Sequence, residues 1–194
     1  METVGRRERK KNQTRRALRE AAVELVERHG FEHVTIEQVT DAVDVSPRTF
    51  FNYYASKEEA LTAADPERVA GMRAVLAQRP AEEPALEALR RAVLTSAAAL
   101  AEEQVPWQRR LAIIRADPRL LAALARSWWV IERELAEGLA ERLDTEPHDL
   151  VPGVLATSAV AALRVAISRW DDTSRSLPEL VNDAFDVLAG AGAR

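Results

Sequence analysis

Between Thr35 and Ser56 the chain carries three helix-start signals in quick succession, and they constrain the local fold more tightly than any other feature. Thr35, with Gln38 three residues on, forms a capping box. Ser46 precedes Pro47, which falls at the first helical position, where proline is best tolerated. Ser56 with Glu59 forms a second capping box. Caps this close together leave room only for short helices joined by tight turns. The helix opened by Thr35 should end near Ala42, with Ile36, Val39 and Val43 on its buried side. Asp44 and Val45 make the turn, and the next helix should run from Pro47 to about Tyr54. Such a pair is a helix-turn-helix: its second helix enters the major groove of duplex DNA while the first crosses the backbone.

The rest of the chain also reads as helix. From about residue 9 to His29, Leu18, Ala21, Ala22, Leu25 and Val26 recur at helical spacing. Gly30 follows where a left-handed C-terminal residue belongs. A fourth helix should run from Ser56 to about Gln78, interrupted at Pro66 or restarted there with Asp65 as cap. Residues 79–84 read as a loop, and further helices are expected at about 84–103, 106–115, 118–143, 147–170 and 177–190. Pro84, Pro106, Pro118, Pro147 and the Ser176/Glu179 capping box mark their starts. Val34-Thr35-Ile36 is too short for a strand, and neither a hairpin turn nor an internal repeat is present. The expectation is an all-α chain of nine helices. A helix-turn-helix domain occupies 1–57 and a helical bundle occupies 58–194.

Charge is divided unevenly between these parts. Residues 1–57 carry 11 basic and 9 acidic side chains, whereas residues 58–194 carry 16 and 22. A basic end on an acidic body points that end at an anion. The cluster Arg6, Arg7, Arg9, Lys10 and Lys11, continued by Arg15 and Arg16, reads either as an N-terminal arm that approaches DNA or as a solvated tail.

Several classes of function find no support. With no cysteine there is no disulfide, thiolate–metal site or cysteine nucleophile. His29 and His33 stand four apart, but Gly30 breaks the helix between them and no third ligand is near, so no metal is expected. There is no nucleophile elbow, phosphate-binding glycine loop, dinucleotide fingerprint or zinc-protease motif, so neither an enzyme nor a cofactor is expected. Ser158 and His148 lack an evident acidic orienter. The basic N-terminus has no apolar core of a signal peptide. The longest uncharged stretch, Leu150 to Leu163, is too short to span a bilayer. A cytoplasmic protein with no membrane partner is the expectation.

On a helical wheel Phe50 and Tyr54 fall together, with Pro47 and Phe51 beside them, while Arg48, Thr49, Asn52 and Tyr53 take the other side. The first side can pack on Leu25, Ile36 and Val39. The second offers groups that read base edges and bind phosphates. Thr35-Ile36-Glu37-Gln38-Val39, the run Val45 to Tyr54 and Ser56-Lys57-Glu58-Glu59-Ala60-Leu61 together resemble the TetR family of transcriptional regulators. The resemblance covers residues 10–61; the later helices match that family only in number and length. It implies that Pro47, Arg48 and Thr49 face bases and that Thr35, Tyr53 and Lys57 lie near phosphates. Phe51 stands where the family usually has a tyrosine whose hydroxyl meets a phosphate. That hydrogen bond is therefore missing, or replaced by contact with a thymine methyl. Asp44 stands where glycine is usual; aspartate tolerates a left-handed backbone better than most residues, so the turn should survive.

The same resemblance implies a ligand pocket within the fifth to eighth helices and dimerisation through the last two. The eighth helix is rich in small residues, which permit close helix approach. Val154, Ala159, Leu163, Ile167, Leu180, Phe185 and Leu188 are the expected dimer seam; the alternative is a core within one chain. Trp107, Arg110, Ile114, Arg115, Trp128 and Arg164 are the candidate ligand contacts. Arginines beside an apolar surface suit an amphipathic anion; the alternative is a solvated basic face beside core tryptophans. Arg164, within an apolar run, calls for a carboxylate in its own chain or across the dimer, or for an anionic ligand, unless it is exposed. Residues 44–52, Asp65-Pro66-Glu67-Arg68, Ala162-Leu163-Arg164 and Arg169-Trp170 also resemble the TetR subgroup of mycofactocin-cluster regulators, which implies an acyl-coenzyme A effector.

The expectation is thus a homodimeric, TetR-like regulator, most readily a repressor, bound to a near-palindromic operator in double-stranded DNA and released by a small molecule. Two alternatives stay open: a helical small-molecule binder or enzyme whose basic N-terminus is incidental, and a DNA-binding dimer with no effector.

Overall fold

The structure is a computed structural model and describes residues 2–170 and 173–190. Its α-helices are α1 (Glu2–His29), α2 (Ile36–Asp41), α3 (Pro47–Phe51), α4 (Lys57–Thr62), α5 (Pro66–Gln78), α6 (Ala85–Glu102), α7 (Gln104–Ala116), α8 (Pro118–Leu143), α9 (Leu150–Trp170) and α10 (Leu177–Leu188). A 3₁₀ turn, Phe31–His33, follows α1, and there is no strand among the described residues.

Among the described residues the α-helices number ten rather than nine, because α4 ends at Thr62 and the chain restarts as α5 at Pro66, with Asp65 as cap. Ala63 leaves α4 in extended geometry, and the Asp65 side chain accepts from the Glu67 N–H to open α5. Helix α1 begins well before residue 9, since its charged first turns are rich in good helix formers. Two proline signals are displaced. Helix α7 starts at Gln104, with Pro106 inside its first turn, and α9 starts at Leu150 with Pro152 in the same place. First-turn N–H groups have no partner within the helix, so proline loses nothing there. Pro147 lies in the turn before α9, where the Glu146 N–H donates to the Asp149 carboxylate at 3.1 Å.

Two compact units form. The first contains the residues up to Ala63 together with Arg109–Ala125. The second contains Ala64–Gln108 and the chain from Arg126 onward. These units depart from the 1–57/58–194 division expected from sequence. The reason lies in the first unit's core: Ile114 and Leu120, from the end of α7 and the start of α8, are fully buried with Leu18, Ala22, Val39, Phe50 and Leu61. Arg109 forms an ion pair with Glu27 of α1, and Arg119 reaches Glu32 at 3.0 Å.

In the second unit α6 packs against α5, α9 and α10, and α9 packs against α10. Leu76, Leu89, Leu135, Leu139, Val160 and Phe185 are among its fully buried residues. Arg73 of α5 reaches Glu134 and Glu137 of α8, both at 3.1 Å. Arg142 donates to the backbone carbonyls of Arg79, Pro80, Ala81 and Glu83 and so pins the 79–84 loop. Helix α9 runs 21 residues at a mean hydropathy of 1.9, long and apolar enough to cross a membrane by length and composition. The uncharged stretch was shorter because Arg164 ends it; on the helix Arg164 and Arg169 simply face outward. Nine of its residues, from Pro152 to Trp170, are buried inside the chain.

Candidate nucleic-acid interface

Local chemistry places α3. Thr35 and Gln38 form the full reciprocal box: the Thr35 hydroxyl accepts from the Gln38 N–H and the Thr35 N–H donates to Oε1 of Gln38 at 2.9 Å. After α2 the N–H groups of Val43 and Val45 both donate to the Thr40 carbonyl, and Asp44 between them takes a φ of 55°. That left-handed residue reverses the chain, and aspartate carries it as expected. The Ser46 hydroxyl then accepts from the Thr49 N–H at 3.2 Å, and Pro47 opens α3.

Helix α3 is anchored by Phe50 and Tyr54. Both are buried, their ring centroids lie 5.7 Å apart, and the Tyr54 hydroxyl donates to the Arg15 carbonyl of α1 at 3.0 Å. The opposite face presents Pro47, Arg48, Phe51 and Asn52 to solvent. Among the described residues Arg48 makes no hydrogen bond or ion pair. Phe51 is 55% exposed, and its ring stands edge-on to Phe50 with centroids 5.6 Å apart.

This corrects the wheel. Pro47 and Phe51 belong with the outward residues rather than beside the packed side. Tyr53 is half-buried, with the Arg15 guanidinium 5.7 Å from its ring centre. The helix ends at Phe51, so the 100° step no longer applies to Tyr53 and Tyr54. Thr49 is also half-buried, its hydroxyl 3.0 Å from that of Ser46.

Thr35 is exposed at the start of α2. Lys57, the first residue of α4, is engaged inside the chain. Its ammonium donates to the carbonyls of Phe31 and Val34 and lies 4.2 Å from the Phe31 ring centre. Burial pushes the Lys57 ammonium below its ordinary pKa. Two of its three N–H donors are thus used within the chain. Arg7, Arg9, Lys10 and Lys11 are exposed on α1, as helix rather than tail, and Lys11 lies 3.9 Å from Glu8. The Arg6 side chain lies outside the described residues.

The six candidate ligand contacts are divided between the two units. Ile114 is in the core of the first unit, and Arg110 and Arg115 belong to the same unit. Trp107, Trp128 and Arg164 belong to the second, where Trp107 is buried, Trp128 half-buried and Arg164 exposed. The second unit instead has a groove of about 610 Å³ whose lining includes Arg126, Trp129, Val130, Arg133, His148 and Thr157. Trp129 is 78% exposed. Trp128 and Trp129 are adjacent, and one step along a helix turns it by 100°. The helical period along α8 was the available signal, because Arg126, Trp129 and Arg133 share a face at three- and four-residue spacing.

The expected dimer seam also divides. Ala159, Leu163, Ile167 and Phe185 are buried within the chain, so they are core and not seam. Small residues brought α9 close to its own neighbours. Leu180 is half-buried, while Val154 and Leu188 are exposed. With them Leu150, Val151, Val165 and Val187 leave apolar side chains on the outer faces of α9 and α10.

Matches to known proteins cover nearly the whole chain. Residues 18–64 match the family model described as "Bacterial regulatory proteins, tetR family", and residues 83–192 match the one described as "MftR C-terminal domain". The HTH-type transcriptional regulator TcmR of Streptomyces glaucescens is 36% identical over 94% of this chain and 84% of its own length. A protein of Mycobacterium tuberculosis named as the mycofactocin biosynthesis transcriptional regulator MftR is 28% identical over 97% of this chain and 94% of its own. Among solved structures, the FadR repressor of Thermus thermophilus, in complex with lauroyl-CoA, superposes with a TM-score of 0.53 at 25% identity, over 91% of this chain and 94% of that one. FadR of Bacillus halodurans shares the fold, with a TM-score of 0.57 at 17% identity over 91% of this chain and 95% of that one.

Proposed function

The chain belongs to the TetR family of bacterial transcriptional regulators, in the branch whose C-terminal domain is of the MftR type, and from there we propose that it acts as a homodimeric repressor released from its operator by a small-molecule effector. It is a DNA-binding regulator of transcription. The observation that carries the reading is the outward face of α3. Arg48, Phe51 and Asn52 lie there exposed, on a helix whose buried side is locked by Phe50 and Tyr54.

Each α3 enters one major groove of a near-palindromic operator, with half-sites roughly one helical turn apart or slightly more. Arg48 reads guanine through its paired donors, and Asn52 has the amide that pairs with adenine. Pro47 and Thr49 lie against bases. Thr35, Tyr53 and the remaining donor of Lys57 serve phosphates, with Arg6, Arg7, Arg9, Lys10 and Lys11 as a basic helical arm. The outer faces of α9 and α10 join the two subunits. The effector is an acyl-coenzyme A or another amphipathic anion held by the second unit. The lauroyl-CoA complex of the Thermus protein and the arginine–tryptophan groove on α8 support that class. Its differential affinity for the DNA-bound and free forms sets how far it can shift them. The protein works in the cytoplasm, where operator and acyl-coenzyme A meet.

Fluorescence anisotropy tests this reading, with the wild type and Arg48→Ala on DNA from upstream of the protein's own gene and on scrambled DNA at two salt concentrations. Arg48→Ala should lose about 1–3 kcal/mol on the upstream site alone and relax one operator position. An equal loss on both DNAs removes Arg48 from base reading. Lauroyl-CoA added to the complex should lower the anisotropy. An unchanged signal across acyl chain lengths would leave a DNA-binding dimer without this effector.

A further inference from the structure

We infer that Phe51 is a specificity-determining residue that reads the 5-methyl group of a thymine in each operator half-site. The inference rests on the proposed docking of α3 in the major groove. Phe51 is the one large apolar side chain on the outward face of α3, between Arg48 and Asn52, and it is 55% exposed. The ring has neither donor nor acceptor, so it cannot hydrogen-bond a phosphate or a base edge. The ring stands edge-on, at 85°, to Phe50, whose own side chain is fully buried.

Every base pair presents hydrogen-bonding groups on its major-groove edge, and thymine adds the only apolar one, its 5-methyl. A guanine or cytosine edge beneath Phe51 would lose water from its polar groups with nothing in return. A thymine methyl leaves water together with the ring, and both gain. Asn52, the next residue, carries the amide suited to adenine. The Phe51–Asn52 end of α3 thus favours an A·T step, and the Arg48 end favours guanine.

The test uses the full-length protein. A preferred site is first selected from random duplex DNA. Each thymine in that site is then replaced singly by deoxyuridine, which removes the methyl and leaves every hydrogen-bonding group in place. One thymine per half-site should matter, with affinity falling about fourfold, the factor one buried methyl group is worth. Replacing both symmetric thymines should cost about fifteenfold. Phe51→Ala, at an exposed position, should fold normally and bind thymine and deoxyuridine sites alike.

Wild-type affinity that is indifferent to deoxyuridine at every position overturns the thymine reading while leaving the regulator intact. The same follows if Phe51→Ala keeps the methyl dependence. A selection that enriches no sequence overturns the operator reading itself, and the thymine reading with it.

Discussion

Gly30 and Asp44 both hold a positive φ, at 82° and 55°, and they do so at different cost. Asp44 sits in the left-handed helical region, which aspartate visits with some ease. Gly30 combines its φ with a ψ of 150°, a region open essentially to glycine alone. The sequence reading anticipated a left-handed cap at Gly30; the structure keeps the sign of φ but extends ψ, so that the chain turns into Phe31–His33. A Cβ added there would meet only His33 Nδ1 at 3.7 Å, an ordinary contact, so the cost of substitution is in the backbone. Gly30→Ala should lower stability by about 1–3 kcal/mol. Urea unfolding followed by circular dichroism reads this directly, and an unchanged midpoint would remove the strain argument. Phe51 shows the limit of reading at this scale. Its type was legible as unusual, but its exposure was settled only when Phe50, one step of 100° away, became the buried residue of α3.

At the scale of elements, the junction of α7 and α8 is held by one carboxylate. Asp117 accepts from the Arg119 N–H at 2.8 Å and from the Arg119 guanidinium at 2.6 Å. Arg119 in turn reaches Glu32 and lies 5.0 Å from the Phe31 ring centre. The Arg119 guanidinium holds the Asp117 carboxyl at about 2, below its ordinary 3.8. Between those two values the unfolded chain binds more protons than the folded one, so stability rises with pH across that window. The contribution is complete above the ordinary value and is lost as pH falls through about 2. Asp117→Asn should therefore melt at a lower temperature than wild type near neutrality, and the gap should close as the pH is taken from about 4 toward 2. A gap that stayed constant over that range would assign the effect to capping rather than charge. Asp117-Pro118 was legible as a helix start. That the turn beside it buries Ile114 and Leu120 with Phe50 was not, because helical spacing marks a buried face without naming its partner.

At the scale of the whole molecule, the proposed interface on the outer stripe of α9 can be tested apart from folding. Val154 and Val165 are 53% and 56% exposed, whereas Phe185 and Ala159 are fully buried. Val154→Glu combined with Val165→Glu should give a folded monomer, with an unchanged helical spectrum and half the mass by light scattering. Operator affinity should fall with it, since two linked reading heads bind far more tightly than either alone. Phe185→Glu should instead unfold the chain, because it places an unpaired charge in the core. A dimer that survives the double substitution would move the proposed interface away from α9.

The sequence by itself determined the capped starts of α2, α3 and α4, the turn that carries Asp44, and the family, because caps, prolines and side-chain period act within a few residues and do not depend on the rest of the chain. Tertiary structure alone decided which apolar residues became core and which stayed in solvent. Leu163 and Val165 are two positions apart and equally apolar, yet one is buried and the other exposed. It also decided that Arg109–Ala125 packs with the reading head and that Trp129, not Trp128, lines the groove. Burial depends on which helix lies opposite, and that choice belongs to the packed chain as a whole.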